Sequence, residues 1–255
     1  MMTSVFHVMS LSMWPIIMAL SVLISFISMY LSMKVGFNLL SLIVVLVILS
    51  WFKDVSRESD LLMEHSFLNN IFFKTGMILF ITSEVMFFVS FFWCYFDFVS
   101  VVDCEIGSVW PPKGIQSINP FSIPLLNTLI LLSSGVMVTW SHFSILYNDW
   151  FYAVVTLGAT VFLGVYFLFI QYQEYMDATY TFMSSGYGSI FFLATGFHGF
   201  HVLLGCMLLS GSLYRMLLMV CDSLSHYNFE FSAWYWHFVD VVWLFLFIFI
   251  YWWGY

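Results

Sequence analysis

The chain alternates between long apolar stretches and short polar ones. A membrane-spanning helix needs about 20 predominantly apolar residues, and seven stretches reach or approach this length. They cover residues 14–32, 39–52, 72–96, 124–146, 150–172, 187–218, and from 231 into an aromatic tail near 251. Clustered Trp and Tyr are typical of the membrane–water boundary. The pattern therefore predicts an all-α integral membrane protein with seven transmembrane helices.

The composition leads to the same prediction. Hydrophobic residues make up 62% of the chain and charged residues 8%, whereas a soluble domain carries about a quarter charged residues. The mean hydropathy is +0.98. The formal charge of −8 comes from scattered acidic residues, without a Lys/Arg cluster that could follow a nucleic-acid backbone. A nucleic-acid partner is therefore not expected.

The cysteines and the N-terminal segment add little chemistry. Cys94, Cys104, Cys206 and Cys221 form no Cys-x-x-Cys pair, so we expect unpaired thiols or small apolar packing residues. The first residues show neither a signal peptide nor an Arg-rich transit sequence. We expect the chain to enter the membrane through its own helices.

The distribution of basic residues predicts the orientation. Cytoplasmic or matrix-side loops carry an excess of Lys and Arg. On alternating loops, four basic residues fall on the side of the N-terminus and two on the opposite side; the first group is Lys53, Arg57, Lys74 and Arg215, and the second is Lys34 and Lys113. This favours an N-terminus inside, and the odd helix number then places the C-terminus outside.

Glu84 is an acidic residue inside the third apolar stretch. With a helix beginning near residue 72, it lies roughly 18 Å along the span at 1.5 Å per residue. An ionised carboxylate at that depth costs at least about 2.5 kcal/mol. One interpretation is a site that handles protons or binds lipid headgroups. The alternative is a neutral acid hydrogen-bonded to a neighbouring helix, as nearby Thr82 and Ser83 suggest.

Two further polar groups lie within predicted helices. His198 and His201 are three residues apart and share a helix face; a haem or metal site is conceivable, with His142 or His237 as a ligand across the bundle. Packing at nearby glycines is the alternative, and we expect no metal. His237 and Asp240 have the same spacing and can hydrogen-bond to each other or to another helix, with either a structural or a functional role.

Basic residues near one predicted membrane face could bind anionic lipid headgroups. They are Lys53, Arg57, His65 and Arg215. The alternative is the ordinary excess of basic residues on the inner side. The sequence has no Gly-rich phosphate loop, no His-Glu-x-x-His motif and no nucleophile paired with a base, so no catalytic residue is predicted.

Several segments, in order, resemble subunit III of cytochrome c oxidases. They are Asp54-Val-Ser-Arg57-Glu58-Ser59, residues 74–88 around Glu84, Trp110-Pro-Pro-Lys-Gly-Ile, Asn119-Pro120, residues 124–128, residues 134–142, residues 194–202 and residues 234–246. The resemblance covers nearly the whole chain from Trp14. The chain departs from the family pattern at Phe52 and Lys53, and in the segment with Leu218, Val220 and Ser225.

The resemblance implies a specific architecture. Helices 1–2 (residues 1–66) and helices 3–7 (residues 67–255) would form two bundles around a V-shaped, lipid-filled cleft. The family's subunit III carries no haem or copper; haem a, haem a3, CuA and CuB are expected in partner subunits. Lipid-binding or proton-related positions would be Trp51, Arg57, Glu58, His65, Glu84, His198, His201, Arg215 and His226, while His237 and Asp240 would be structural.

The resulting prediction is a non-redox core subunit of the respiratory oxidase. It would stabilise catalytic subunit I, contact subunit II and accessory subunits, bind phospholipids including anionic ones, and support proton uptake while the complex reduces O2 with electrons from cytochrome c. The expected location is the mitochondrial inner membrane, with the N-terminus in the matrix. Two alternatives stay open: a proton- or ion-coupled transporter using Glu84 and Asp240, and a haem-binding electron carrier using His198 or His201.

Overall fold

The computed structural model describes residues 12–31, 34–61, 67–102, 109–112, 114–219 and 226–255. Within the second and third helices, the side chains of residues 34–40, 56, 58–61 and 67–70 lie outside this description. The described part of the chain is helical and contains no β-strand.

Seven α-helices follow one another. They are α1 (Trp14–Tyr30), α2 (Lys34–Leu61), α3 (Phe67–Ser100), α4 (Ile123–Leu146), α5 (Trp150–Asp177), α6 (Gly186–Leu217) and α7 (Tyr227–Leu246). A π-helical segment, Phe247–Trp252, continues α7. In the described part of the chain, five helices are long and apolar enough to cross a membrane: α3, α4, α5, α6, and α7 together with its π-helical extension. The predicted all-α membrane fold is confirmed.

Helices α2, α3 and α5 extend further than the sequence pattern predicts. The third helix was predicted over residues 72–96, whereas α3 runs from Phe67 to Ser100. The run from Lys53 to Asp60 was expected as a polar stretch after a helix ending at residue 52, but α2 continues through it to Leu61. Lys, Arg and Glu are good helix formers, and this run contains neither Gly nor Pro to stop the helix. For the same reason α5 passes residue 172 and ends at Asp177. The point at which the sequence becomes polar therefore marks the end of the apolar segment, and the helix continues beyond it.

The chain divides into two compact units, residues 1–74 and 75–255. In the first unit, the indole Nε1 of Trp14 donates a 2.8 Å hydrogen bond to Oδ2 of Asp54. This bond joins the start of α1 to the C-terminal half of α2, so the two helices run antiparallel. Ser21 and Ser28, seven residues apart on one face of α1, are buried. The V-shaped arrangement and a boundary at residue 66 stay predictions.

The second unit is built around Trp236 of α7. Its side chain is 1% exposed and lies against Gly164 of α5 and Gly205 of α6. A Cβ at either glycine would come within 2.5 Å and 2.8 Å of the indole ring. The indole Nε1 also donates a 2.9 Å hydrogen bond to Oγ of Ser134 in α4. One side chain therefore joins four helices, and the absence of two β-carbons makes room for it.

Short connections keep neighbouring helices antiparallel. Only three residues, Tyr147 to Asp149, separate α4 from α5, as the sequence predicts from Asn148 and Asp149. Asn148 has a φ of 60°, a left-handed conformation that Asn tolerates better than most residues. Because α4 to α7 alternate in direction, the C-terminal ends of α4 and α6 lie at the same end of the bundle as the start of α7.

Candidate functional site

Glu84 of α3 is hydrogen-bonded to His201 of α6. Its Oε2 lies 2.8 Å from Nε2 of the imidazole. The other ring nitrogen, Nδ1, lies 2.7 Å from the backbone carbonyl oxygen of Phe197, one helical turn earlier in α6. Glu84 and His201 are separated by 117 positions in sequence, and their contact joins two membrane-spanning helices in the second unit.

The surroundings of His201 restrict where its protons can be. A carbonyl oxygen only accepts hydrogen bonds, so Nδ1 must carry a proton to bind Phe197. The contact with Glu84 then has two forms, both of zero net charge. Either a neutral carboxylic acid donates to Nε2, or a protonated Nε2 donates to a carboxylate. In either form, one proton lies between Oε2 and Nε2.

Aromatic side chains surround the His201 ring. The centroid of Phe88 lies 5.1 Å away, that of Phe238 6.3 Å away, and Tyr235 stacks at 6.3 Å with an interplanar angle of 20°. His201 is buried, with a side chain 8% exposed. These rings keep water from the imidazole, and in such surroundings a hydrogen bond is stronger than in water.

Glu84 is the more accessible partner, with 24% of its side chain exposed. The neighbouring hydroxyl groups do not bind it: Thr82 donates to the carbonyl of Ile78, and Ser83 donates to that of Phe80. The hydrogen bond to a neighbouring helix that the sequence suggested is thus made by His201. Glu84 is therefore the outward-facing partner of the pair, and His201 is the inward-facing one.

His198 lies in a different environment from His201. It is 1% exposed and packs edge-on against Phe167 of α5 at 5.6 Å and beside Trp243 of α7 at 5.2 Å. Neither ring nitrogen has a hydrogen-bond partner among the described residues. Positions three apart on a helix differ by about 60° in direction, which is enough to send the two imidazoles to different neighbours. Both nitrogens of His201 are already hydrogen-bonded, so it could ligate a haem iron only by losing one of these bonds.

Asp240 and His237 of α7 both face Gly135 of α4. A Cβ at Gly135 would lie 3.1 Å from Oδ2 of Asp240 and 3.8 Å from Nδ1 of His237. Asp240 is 8% exposed, and its Oδ1 has no hydrogen-bond partner among the described residues. Glu84 and Asp240 therefore have different neighbours, α6 for the first and α4 for the second.

The predicted headgroup residues are only partly described. Arg57 is exposed on α2 and Trp51 is half-buried in the first unit, while Arg215 lies in the last turn of α6 in the second. The side chain of Glu58 and the whole of His65 lie outside the described residues. A lipid role for this group stays a prediction.

Glu174 is a buried acid that the sequence analysis did not identify. It is 2% exposed, and its Oε1 accepts a 2.6 Å hydrogen bond from the hydroxyl of Tyr251. It was missed because the helix was expected to end at residue 172. Glu174 lies on the same buried face of α5 as Ala153, Thr160 and Phe167, at seven-residue spacing, and the sequence alone does not reveal this burial.

The fold and this geometry define a multi-pass helical membrane protein with a proton-holding carboxylate–imidazole pair. Comparison with known proteins adds the family. Residues 4–255 match the family model of cytochrome c oxidase subunit III. The chain is 46% identical to cytochrome c oxidase subunit 3 of Pisaster ochraceus and 47% identical to that of Drosophila melanogaster, each over 98% of this chain and 97% of the relative. It is 42% identical to that of Heterololigo bleekeri over the full length of both.

The chain belongs to the cytochrome c oxidase subunit III family. Membership confirms the predicted class, a multi-pass membrane subunit of the terminal oxidase of the respiratory chain. It also favours this function over the transporter and haem-carrier alternatives.

Proposed function

We propose that this chain is a non-redox subunit of the oxidase that supports proton uptake, binds phospholipids and stabilises catalytic subunit I. Haem a, haem a3, CuA and CuB are assigned to partner subunits. The proposed location is the mitochondrial inner membrane, with the N-terminus on the matrix side and the C-terminus on the intermembrane-space side. The observation that carries the proposal is the hydrogen bond between Glu84 and His201.

The proton-related role follows from what this pair can do. It holds one proton that moves over a single short hydrogen bond between Oε2 and Nε2 without changing the net charge of the pair. Because the pair keeps a net charge of zero, neither form leaves an unpaired buried ion, which would be strongly destabilising. A subunit with such a pair can hold or donate a proton while it lacks redox chemistry of its own.

The lipid-binding role is supported by the outer surface of α3. Leu79, Met86 and Trp93 recur every seven residues on one face, and they are 65%, 62% and 77% exposed. In the most apolar 18-residue stretch of this helix, only 6% of the residues are buried. An apolar helix face of this kind suits acyl chains, and the partly exposed carboxyl of Glu84 lies on the same helix.

The test uses the assembled oxidase with Glu84→Gln and His201→Gln. We expect the initial rate of cytochrome c oxidation to stay close to that of the unmodified enzyme. Activity should decline over fewer turnovers, and proton uptake should slow, because neither variant can pass a proton between the two side chains. Thr82→Val is the matched control, since Thr82 lies on the same helix and binds only its own backbone. Equal persistence of activity in both Gln variants and the control would contradict the proposal.

A chemical test addresses Glu84 directly. Carbodiimides react with protonated carboxyl groups in apolar surroundings, and Glu84 is the carboxyl group expected to react. Glu84→Ala should therefore weaken the labelling of this chain. Unchanged labelling in that variant would show that the reactive carboxyl is another residue.

A further inference from the structure

Three side chains of the types that serve as metal ligands meet at one end of the second unit, away from Glu84. His142 lies near the C-terminal end of α4, His226 directly precedes α7, and Glu230 lies in the first turn of α7. Their ligand atoms all lie within 4.8 Å of one another. His226 is 8% exposed, and the side chain of Glu230 is 18% exposed. No other such group of three was found among the described residues.

The spacing of these atoms resembles that of a metal site. The two Nε2 atoms are 3.3 Å apart, and Nε2 of His226 is 3.5 Å from Oε1 of Glu230. Ligands at 2.0–2.1 Å from a tetrahedral ion are separated from one another by roughly 3.3 Å. Two of the three separations therefore match the edges of a zinc tetrahedron. The third can adjust through the rotatable bonds of Glu230.

We propose that His142, His226 and Glu230 form a binding site for a zinc-class divalent cation. Two imidazoles and one carboxylate are a ligand set found in zinc sites with an open fourth position, which water would occupy here. Two nitrogen ligands do not favour Mg2+ or Ca2+, because these ions prefer oxygen ligands. The inference departs from the expectation of no metal, and it does not depend on the proposed function.

The position of the cluster allows access from the aqueous side. His142 is four residues from the end of α4, or about 6 Å along the helix axis. A bound ion would link α4 to α7 at this end of the bundle. It would also replace the contact between the two Nε2 atoms, and either imidazole that carries a proton there would release it.

The test measures zinc in the purified oxidase after dialysis against a fixed concentration of free Zn2+. The unmodified complex should hold one more zinc ion per copy of this chain than His142→Gln or His226→Gln. Zinc affinity should fall at least about tenfold in each variant, since even residues that only support metal ligands contribute that much. Glu230→Gln is a second variant with nearly the same shape and should weaken binding in the same direction. X-ray absorption of the additional zinc should show two nitrogen ligands at roughly 2.0 Å.

Asp149→Asn is the matched control. Asp149 is exposed at the turn between α4 and α5, at the same end of the unit, and its replacement removes a negative charge without touching the cluster. It should leave the zinc content unchanged. Equal zinc content in the unmodified complex and the three cluster variants would overturn the proposal. So would an equal loss in Asp149→Asn, because it would assign the binding to surface charge.

Discussion

Tyr251 and Glu174, 77 residues apart, share a 2.6 Å hydrogen bond in which the phenol donates to the carboxyl Oε1. Both side chains are 2% exposed. The bond joins the π-helical segment after α7 to the C-terminal part of α5. The second carboxyl oxygen of Glu174 has no hydrogen-bond partner among the described residues. The hydroxyl of Tyr251 is therefore the main hydrogen-bond donor to the Glu174 carboxyl group.

Tyr251→Phe should destabilise the second unit. It leaves Oε1 of Glu174 buried without its donor, which costs about 1–3 kcal/mol. The effect is measured by thermal unfolding of the purified complex, with release of this chain as the readout. Tyr147→Phe is the control, because Tyr147 is 82% exposed and should lose nothing measurable. Adding Glu174→Leu to Tyr251→Phe should recover part of the stability, since it removes the unsatisfied acid. Equal unfolding temperatures for Tyr251→Phe and Tyr147→Phe would contradict the prediction.

Gly164→Ala should disrupt the packing around Trp236. The added methyl would lie 2.5 Å from Cη2 of Trp236 and 2.6 Å from Sγ of Cys206. Overpacking of this kind costs about 1–3 kcal/mol. The expected result is a lower unfolding temperature of the complex.

The same helix provides a control for this substitution. A Cβ at Gly158 meets nothing within 4 Å, so Gly158→Ala should leave stability unchanged or raise it, because Ala is the better helix former. If both variants unfold at the same temperature, close contact at Gly164 does not limit the packing of α5 against α7.

Substitutions of His201 should change the carbodiimide labelling of Glu84 in opposite directions. His201→Lys places a fixed positive charge beside the carboxyl group and favours its ionised, unreactive form, so labelling should fall. His201→Gln is uncharged and favours the neutral acid, so labelling should be retained or increased. Mass spectrometry of the labelled chain gives both yields. Equal yields would show that His201 does not control the protonation of Glu84.

The predicted orientation can be tested on the two connections that flank α5. Tyr147 precedes α5, and Met183 follows it; they are 82% and 92% exposed. In intact mitoplasts, a membrane-impermeant thiol reagent should label Met183→Cys, which faces the intermembrane space in the proposed orientation. It should label Tyr147→Cys only after the inner membrane is opened. The reverse pattern would place the N-terminus in the intermembrane space.

Sequence reasoning locates the helices well because apolar length is a local property. The start of α4 at Ile123 and of α5 at Trp150 agree with the predictions to within one residue. It places the ends of α2 and α5 less well, since Lys, Glu and Gln continue a helix into the polar phase as readily as apolar residues do. The apolar pattern marks the membrane, and the helix continues beyond it.

The candidate site was predictable only in part. The position of Glu84 in an apolar stretch identifies it as unusual, but its bond to His201 depends on which face of α6 meets α3. Nothing in the spacing of His198 and His201 indicates that only one of them reaches α3. The meeting of His142 with His226, separated by 84 residues, likewise depends on how the helices pack.

The position of Trp236 also has a consequence for biogenesis. Its binding slot is formed by Gly164 and Gly205, so the slot exists only after α5 and α6 lie side by side. Trp236 belongs to the helix synthesised after these two, and its indole reaches Ser134 on a helix inserted earlier still. Docking of α7 is therefore the step that closes the bundle. Until α7 docks, the slot beside Gly164 and Gly205 lacks the side chain that fills it.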